Sequence, residues 1–255
     1  MLFHQIIYGP IFSRRLGISL GINLLPANGK WCNFDCIYCE CGWNADGILD
    51  KRLPATQEVS QALEQKLSEL AREDRLPDVI TFSGNGEPTL HPDFKSIIEI
   101  TMALRNRHAP QAKICVLSNA TQVHRPDVFQ ALLLVDKRIL KIDSAYAKTV
   151  SLIDQPATGY NLARTIEAIK GFKGDFSLQT IFLRGIFQGK TVDNTTAAER
   201  TAWIALVKRL HPKEVMIYTI DRPTPASNLN KVPLPELKAI GDEVAALGIA
   251  VDIAG

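Results

Sequence analysis

The chain has 255 residues, 46% hydrophobic and 22% charged, with a formal net charge of +2. That is enough apolar material for one large core and too little basic excess for a dedicated phosphate-binding surface, and no apolar run reaches the length of a membrane span. Four of the five cysteines, at 32, 36, 39 and 41, are crowded together and the fifth is Cys115; with no basic-then-apolar leader in Met1 to Pro10, this argues for a metal or cluster site in a reducing, cytoplasmic setting rather than a disulfide framework.

Taken in chain order, Ile18 to Leu25 reads as a first strand that runs directly into the cysteine loop. Thr56 to Glu73 reads as a helix, with Val59, Ala62, Leu63, Leu67 and Leu70 at helical spacing and Thr56 as its cap. Asp78 to Phe82 is a short apolar strand ending in Ser83-Gly84-Asn85-Gly86-Glu87-Pro88, and His91-Pro92 opens the next helix. Lys113 to Leu117 is a strand ending in Ser118-Asn119, followed by a helix near Arg125 to Val135. Ile139 to Ile142 is a strand ending in Asp143-Ser144, with a helix near Asn161 to Lys170. Phe176 to Leu183 is a strand before a helix near Thr196 to Leu210. Glu214 to Ile220 is a strand before a helix near Pro235 to Leu247, and Val251 to Ile253 is a short last strand.

Repeated strand-then-helix units predict an α/β fold with a parallel sheet and helices on its outer face. About six units are too few for a closed eight-unit barrel, so an open partial (β/α)6 TIM-like barrel is expected, with a doubly wound sheet as the structural alternative. No linker or repeat divides the chain, which predicts a single domain over 1–255 with its core at about 15–225.

The strongest chemical signal is Cys32-Asn33-Phe34-Asp35-Cys36-Ile37-Tyr38-Cys39. Three thiolates at this spacing can hold three irons of a cubane cluster and leave the fourth iron open to a small chelating molecule, whereas purely electron-transfer clusters use four cysteines. Structural zinc would need a fourth ligand, and Cys41, one residue beyond Cys39, is awkwardly placed to close a tetrahedron.

This loop resembles the hallmark CxxxCxxC of the radical S-adenosylmethionine (SAM) superfamily, with Tyr38 in the aromatic place before the last cysteine. The resemblance covers nearly the whole chain and implies a [4Fe–4S] cluster on Cys32, Cys36 and Cys39, with SAM on the open iron. Gly84, Asn85, Gly86, Glu87 and Pro88 look like the glycine-rich segment that receives the methionyl amine, with Asn85 interrupting the usual glycine pair. Glycines there permit close backbone approach, and Glu87 adds negative charge near an ammonium. The remaining expected cofactor contacts lie at strand ends, where barrel active sites gather: Ser118 and Asn119, Asp143 and Ser144 toward the ribose, Gln179, Arg184 toward the carboxylate, and Tyr218 toward adenine. Each of these single residues has a loop cap or ion pair as its structural alternative.

Tyr8 to Gly17 and Thr219-Ile220-Asp221-Arg222-Pro223 look like a family of iron–sulfur oxidoreductases related to wyosine-type tRNA base synthases. Those enzymes carry further N-terminal cysteines, which this sequence lacks before Cys32, and use a lysine to engage pyruvate as a Schiff base. Lys141 is the candidate for that lysine, with an ion-pair role as the alternative. Ser13, Arg14 and Arg15 are expected near the mouth of the active site or on a solvated surface. The resemblance implies reductive SAM cleavage to a 5′-deoxyadenosyl radical that removes hydrogen from an unidentified substrate, fed by a flavodoxin- or ferredoxin-like one-electron donor. The alternatives are a tRNA-base-modifying enzyme, for which tRNA is the implied partner, a glycyl-radical activase and a non-catalytic Fe–S electron-transfer protein. No membrane partner is expected.

Overall fold

The computed structural model describes residues 2–13, 17–46 and 51–255, and the chain divides into two compact units. Arg14 and Arg15 lie outside the described residues. Among the described residues, no helix is long and apolar enough to cross a membrane.

The first unit comprises the chain up to Cys32, Asn44–Ser118 and Gln122–Arg138. It opens with strands β1 (Ile7–Ser13) and β2 (Gly17–Ile22), paired antiparallel, where the sequence suggested one strand. Helix α1 (Thr56–Arg72) follows, then β3 (Val79–Phe82), a 3-10 turn at Pro88–Leu90, α2 (Phe94–His108), β4 (Lys113–Ser118) and α3 (Pro126–Leu134). Strands β2, β3 and β4 pair in parallel. All four residues of β3 are buried, as expected of a parallel strand covered on both faces. On α1 the predicted stripe is the buried face, with Val59, Leu63, Leu67 and Leu70. Its cap differs from expectation: Thr56 is already helical, and the Ala55 N–H donates to Glu58 Oε2 at 2.7 Å. A carboxylate reaching back three residues satisfies the orphan donor that a capping hydroxyl would otherwise leave to water.

The second unit comprises Asn33–Trp43, Asn119–Thr121 and Ile139–Gly255. Strand β5 (Lys137–Lys141) leads into it, followed by α4 (Ala147–Ile153), α5 (Leu162–Lys170), β6 (Ser177–Ile181), β7 (Leu183–Phe187), β8 (Lys190–Asp193) and α6 (Ala197–Leu210). Next come β9 (Glu214–Tyr218), β10 (Leu229–Lys231), α7 (Leu234–Ala245) and β11 (Ala250–Ala254). Strands β5, β6, β9 and β11 pair in parallel in that order. Asn161 and Thr196, the predicted starts of two helices, cap α5 and α6: the Arg164 N–H donates to Asn161 Oδ1 at 2.9 Å, and the Glu199 N–H to Thr196 Oγ1 at 3.3 Å.

Two features of this unit depart from the sequence reading. Helix α4 was not expected, and the predicted strand Phe176–Leu183 is broken. Asn194 causes the break. Its buried amide donates to the carbonyls of Ile181, at 2.7 Å, and Asp143, at 2.9 Å, while its oxygen accepts from the Leu183 N–H at 2.9 Å. A side chain thus takes over ladder positions, and the chain turns into a separate antiparallel sheet of order β10-β7-β8.

Candidate functional site

The first unit supplies a glycine-bearing turn and the lead-in to the cysteines. After β3, Ser83 to Pro88 folds back along the segment preceding Cys32. The Trp31 N–H donates to Asn85 O at 2.8 Å, and the Glu87 N–H to Trp31 O at 3.3 Å. That closeness requires glycine at 86, because a Cβ there would stand 1.9 Å from Trp31 O and the residue has φ +144°. Cys32 is steadied by its N–H bond to Asn44 Oδ1 at 3.1 Å.

Asn85, the departure from the usual glycine pair, has a structural occupation. Its buried side chain donates to Phe3 O and Pro26 O, each at 2.8 Å, and accepts from the Phe3 N–H at 2.8 Å. It ties the N-terminal segment to the turn, and its backbone is bonded as well, the N–H donating to Asn23 Oδ1 at 3.1 Å and the carbonyl accepting from the Trp31 N–H. Glu87 is buried, and its Oε1 accepts from Ser118 Oγ at 2.9 Å, Thr89 N–H at 3.1 Å and Thr89 Oγ1 at 2.5 Å. Ser118 at the end of β4 therefore fixes the Glu87 carboxylate. Pro88, also buried, starts the 3-10 turn.

The second unit holds the rest of the loop. Residues 33–37 run beside the end of α4 in a short ladder: the Asp35 N–H donates to Asp154 O at 2.9 Å, Ile37 N–H to Ile153 O at 2.9 Å, and Ala157 N–H to Asn33 O at 2.8 Å. Asn33 also donates to Thr121 Oγ1 at 2.6 Å and accepts from Asn119 Nδ2 at 2.8 Å. Asn119 is thereby a tie for the loop. The Cys39 N–H donates to Cys36 O at 3.1 Å, closing a turn between the two cysteines. On the loop's outer side, Arg222 donates to Glu40 Oε2 at 2.6 Å, which links the Thr219–Pro223 segment to the cysteine region.

Beneath this loop lies a buried charge cluster. Asp143, with its side chain fully enclosed, accepts from the Tyr38 hydroxyl at 2.5 Å and pairs through the same oxygen with Lys141 Nζ at 2.8 Å; its other oxygen accepts from the Ile181 N–H at 3.1 Å. Lys141 also pairs with Asp154, and its ammonium stands 4.9 Å from the Phe34 ring centroid and 5.5 Å from that of Tyr38. Burial alone would lower the lysine, but Asp143 and Asp154 outweigh it and hold Lys141 well above its ordinary value. Burial pushes the Asp154 carboxyl up to about 8, with Lys141 opposing and Asp143 reinforcing the shift. Near neutrality Lys141 is protonated, and the Asp154 carboxyl carries a proton that it shares with Asp143. Lys141 is therefore the ion-pair partner, not a free amine.

A pH dependence follows. The folded-state pKa of Asp154 lies above the ordinary carboxylate value near 4, so the folded protein binds more protons between about pH 4 and 8. The stability this group contributes is complete below the unfolded pKa and is lost as pH rises through the folded one. The unfolding temperature of the wild type is expected to fall more steeply from about pH 4 to 8 than that of Asp154→Asn, which keeps a neutral side chain throughout; parallel curves would refute the protonated assignment.

The other expected contacts are dispersed within the second unit. Ser144 is buried and donates to Glu199 Oε2 at 2.6 Å, while accepting from the Tyr146 N–H at 2.9 Å, so it caps the α4 approach and braces α6. Arg184 lies on β7, in the small sheet; it donates to Thr195 Oγ1 at 2.8 Å and pairs with Glu236, with Asp193 at 3.5 Å. Gln179 stands beside Lys141 in register, and Tyr218 pairs with Ile181. Burial raises the Tyr218 phenol, with Asp143 adding to the shift. The sequence reading missed Asp154 and Asn194, whose only signal is an ordinary polar side chain in a loop.

The donor set fits an iron–sulfur cluster. Cys32 and Cys39 are part-exposed and Cys36 is buried, at a sequence spacing that supplies three ligands, and Cys36 lies within electrostatic reach of the Lys141 ammonium. Among the described residues no three His, Cys, Asp or Glu side chains are already gathered as metal ligands, so donor type, spacing and the anchored backbone carry the fit.

Comparison with known proteins bears on both units. The family model described as the Radical SAM superfamily matches residues 29–186. The protein named GTPase Obg of Brachyspira hyodysenteriae is 29% identical over 242 residues, which are 93% of this chain and 32% of that protein. A UPF0026 protein of Helicobacter pylori is 30% identical over 224 residues, 86% of this chain and 67% of that protein. The chain thus spans about a third of the first relative and two thirds of the second. Among solved structures, a radical SAM methyltransferase from Sphaerobacter thermophilus superposes with a TM-score of 0.69 at 13% identity, over 96% of this chain and 67% of that one. TYW1 with a lysine–pyruvate adduct bound superposes with a TM-score of 0.64 at 14% identity, over 89% and 73%. The fold is that of these radical SAM proteins, as the partial-barrel expectation requires.

Proposed function

This chain belongs to the radical SAM superfamily, and we propose that it is an enzyme that cleaves SAM reductively and uses the product radical to remove hydrogen from a substrate. The superfamily's cofactors are a [4Fe–4S] cluster and SAM. When bound, they supply a one-electron cleavage of the sulfonium carbon–sulfur bond, giving methionine and a 5′-deoxyadenosyl radical. The observation that carries the reading is the Cys32, Cys36 and Cys39 set on a loop whose backbone is bonded to residues 153–157.

In this reading the three cysteines hold the cluster. Gly84, Gly86, Glu87 and Pro88 offer the backbone and negative charge that receive the methionyl amine, with the Glu87 carboxylate oriented by Ser118 and Thr89. Tyr38, Gln179 and Tyr218 line the way to the nucleoside. Asn85, Asn119, Asp143, Ser144 and Arg184 act by positioning, because their side chains are bonded to other parts of the protein. Residues 1–255 work as one radical SAM domain in a reducing, cytoplasmic setting, with a flavodoxin- or ferredoxin-like protein delivering the electron.

The test is anaerobic loading with iron and sulfide, dithionite reduction with SAM, and assay for 5′-deoxyadenosine. The expected result is about four irons per chain and deoxyadenosine formation. A loaded cluster that leaves SAM intact with every reductant tried would replace this reading with electron transfer.

A further inference from the structure

The cysteine loop has almost no regular secondary structure, so something else must hold it, and its contacts lead to one side chain. Two of the loop's bonds end on acidic residues: the Tyr38 hydroxyl on Asp143 Oδ2, and the Asp35 N–H on the Asp154 carbonyl. Both acids are buried, and Lys141 bonds to both. The same ammonium lies over the Phe34 and Tyr38 rings, two residues of the loop itself. Both acids share one ammonium, and a buried polar group that loses its partner is costly, so removing Lys141 loosens both of them.

We propose that Lys141 is a positioning residue for the cysteine loop: gripping Asp143 and Asp154 beneath the Phe34 and Tyr38 rings, it holds residues 33–39 in the conformation that presents Cys36 and Cys39. The inference rests on the radical SAM reading only for the identity of what those cysteines bind. It assigns Lys141 no covalent chemistry, since its ammonium is committed to two carboxyl groups.

The test uses Lys141→Met with Asp143→Asn in one chain, so that no unpaired charge is left buried and folding is spared, and the single variant Lys141→Met beside it. Hydrogen exchange is followed at the Asp35 and Ile37 amides of the cluster-free protein, whose bonds to Asp154 O and Ile153 O report the loop's attachment. Exchange there is expected to accelerate at least about tenfold in the double variant, while amides of β6 and β9 keep their wild-type protection. After loading, a chelator should strip iron from the variant faster than from the wild type. Wild-type exchange at both amides in the folded double variant would overturn the proposal. So would acceleration spread evenly over β6 and β9, which would make Lys141 a general core residue. If the wild type took up no cluster yet the two amides still accelerated, the positioning role would stand and the radical SAM reading would fail.

Discussion

Cys36→Ala is expected to reduce 5′-deoxyadenosine formation to background and to lower the iron bound per chain, and Cys32→Ala and Cys39→Ala should do the same. In the proposed reading three thiolates hold three irons and one iron stays open, so removal of any one cysteine would leave a second iron without a protein ligand. Cys36 is the most informative of the three because it is buried beside the Lys141 charge, so its loss cannot be made good from solvent as easily as that of a part-exposed ligand. Cys41→Ala and Cys115→Ala are the controls and should retain activity. Loss of the cluster in Cys41→Ala would restore a four-cysteine site; deoxyadenosine from the triple alanine variant would remove the cluster assignment altogether.

Gly86→Ala is expected to be the most damaging single-atom-scale change in the first unit. The added Cβ would lie 1.9 Å from the Trp31 carbonyl oxygen at a φ of +144°, so it meets backbone on both counts and has no flexible neighbour to displace. Clash and strained backbone together should cost about 3 kcal/mol or more, a fall in Tm of roughly 10 °C for a chain of this size. Gly159→Ala and Gly189→Ala share the positive φ, yet nothing lies within 4 Å of the added carbon, and about 1 kcal/mol is expected from each. Calorimetry on the three variants separates the terms: equal shifts would mean that backbone conformation alone matters and that the close approach at Trp31 contributes nothing.

The contrast between Gly86 and Asn85 shows how far the sequence could be read. Gly86 sits in a segment whose composition already announces a tight approach, and the structure adds only what is approached. Asn85 is its neighbour and looked like a small departure at a cofactor-binding turn, but its side chain belongs to Phe3 and Pro26, residues distant in the chain. Arg184 and Asp143 follow the same pattern. Both were expected at SAM because they lie near strand ends, and both are bonded elsewhere: Arg184 because Asn194 breaks the strand and diverts the chain into β7, Asp143 because Lys141, Tyr38 and the Ile181 N–H surround it. Lys141 itself had two readings, and only the positions of Asp143 and Asp154 choose the ion pair.

By itself, the sequence determined the alternation of strands and helices, the buried stripe of α1 and the starts of α5 and α6 at Asn161 and Thr196. All of these depend on spacing along a few residues, where covalent geometry and the helix and strand periods leave little freedom. Only the tertiary structure decided which polar side chains are committed to one another. A buried acid, amide or lysine must find a partner, but which partner depends on strand register and on loops that meet across long stretches of chain, and no local pattern encodes that choice.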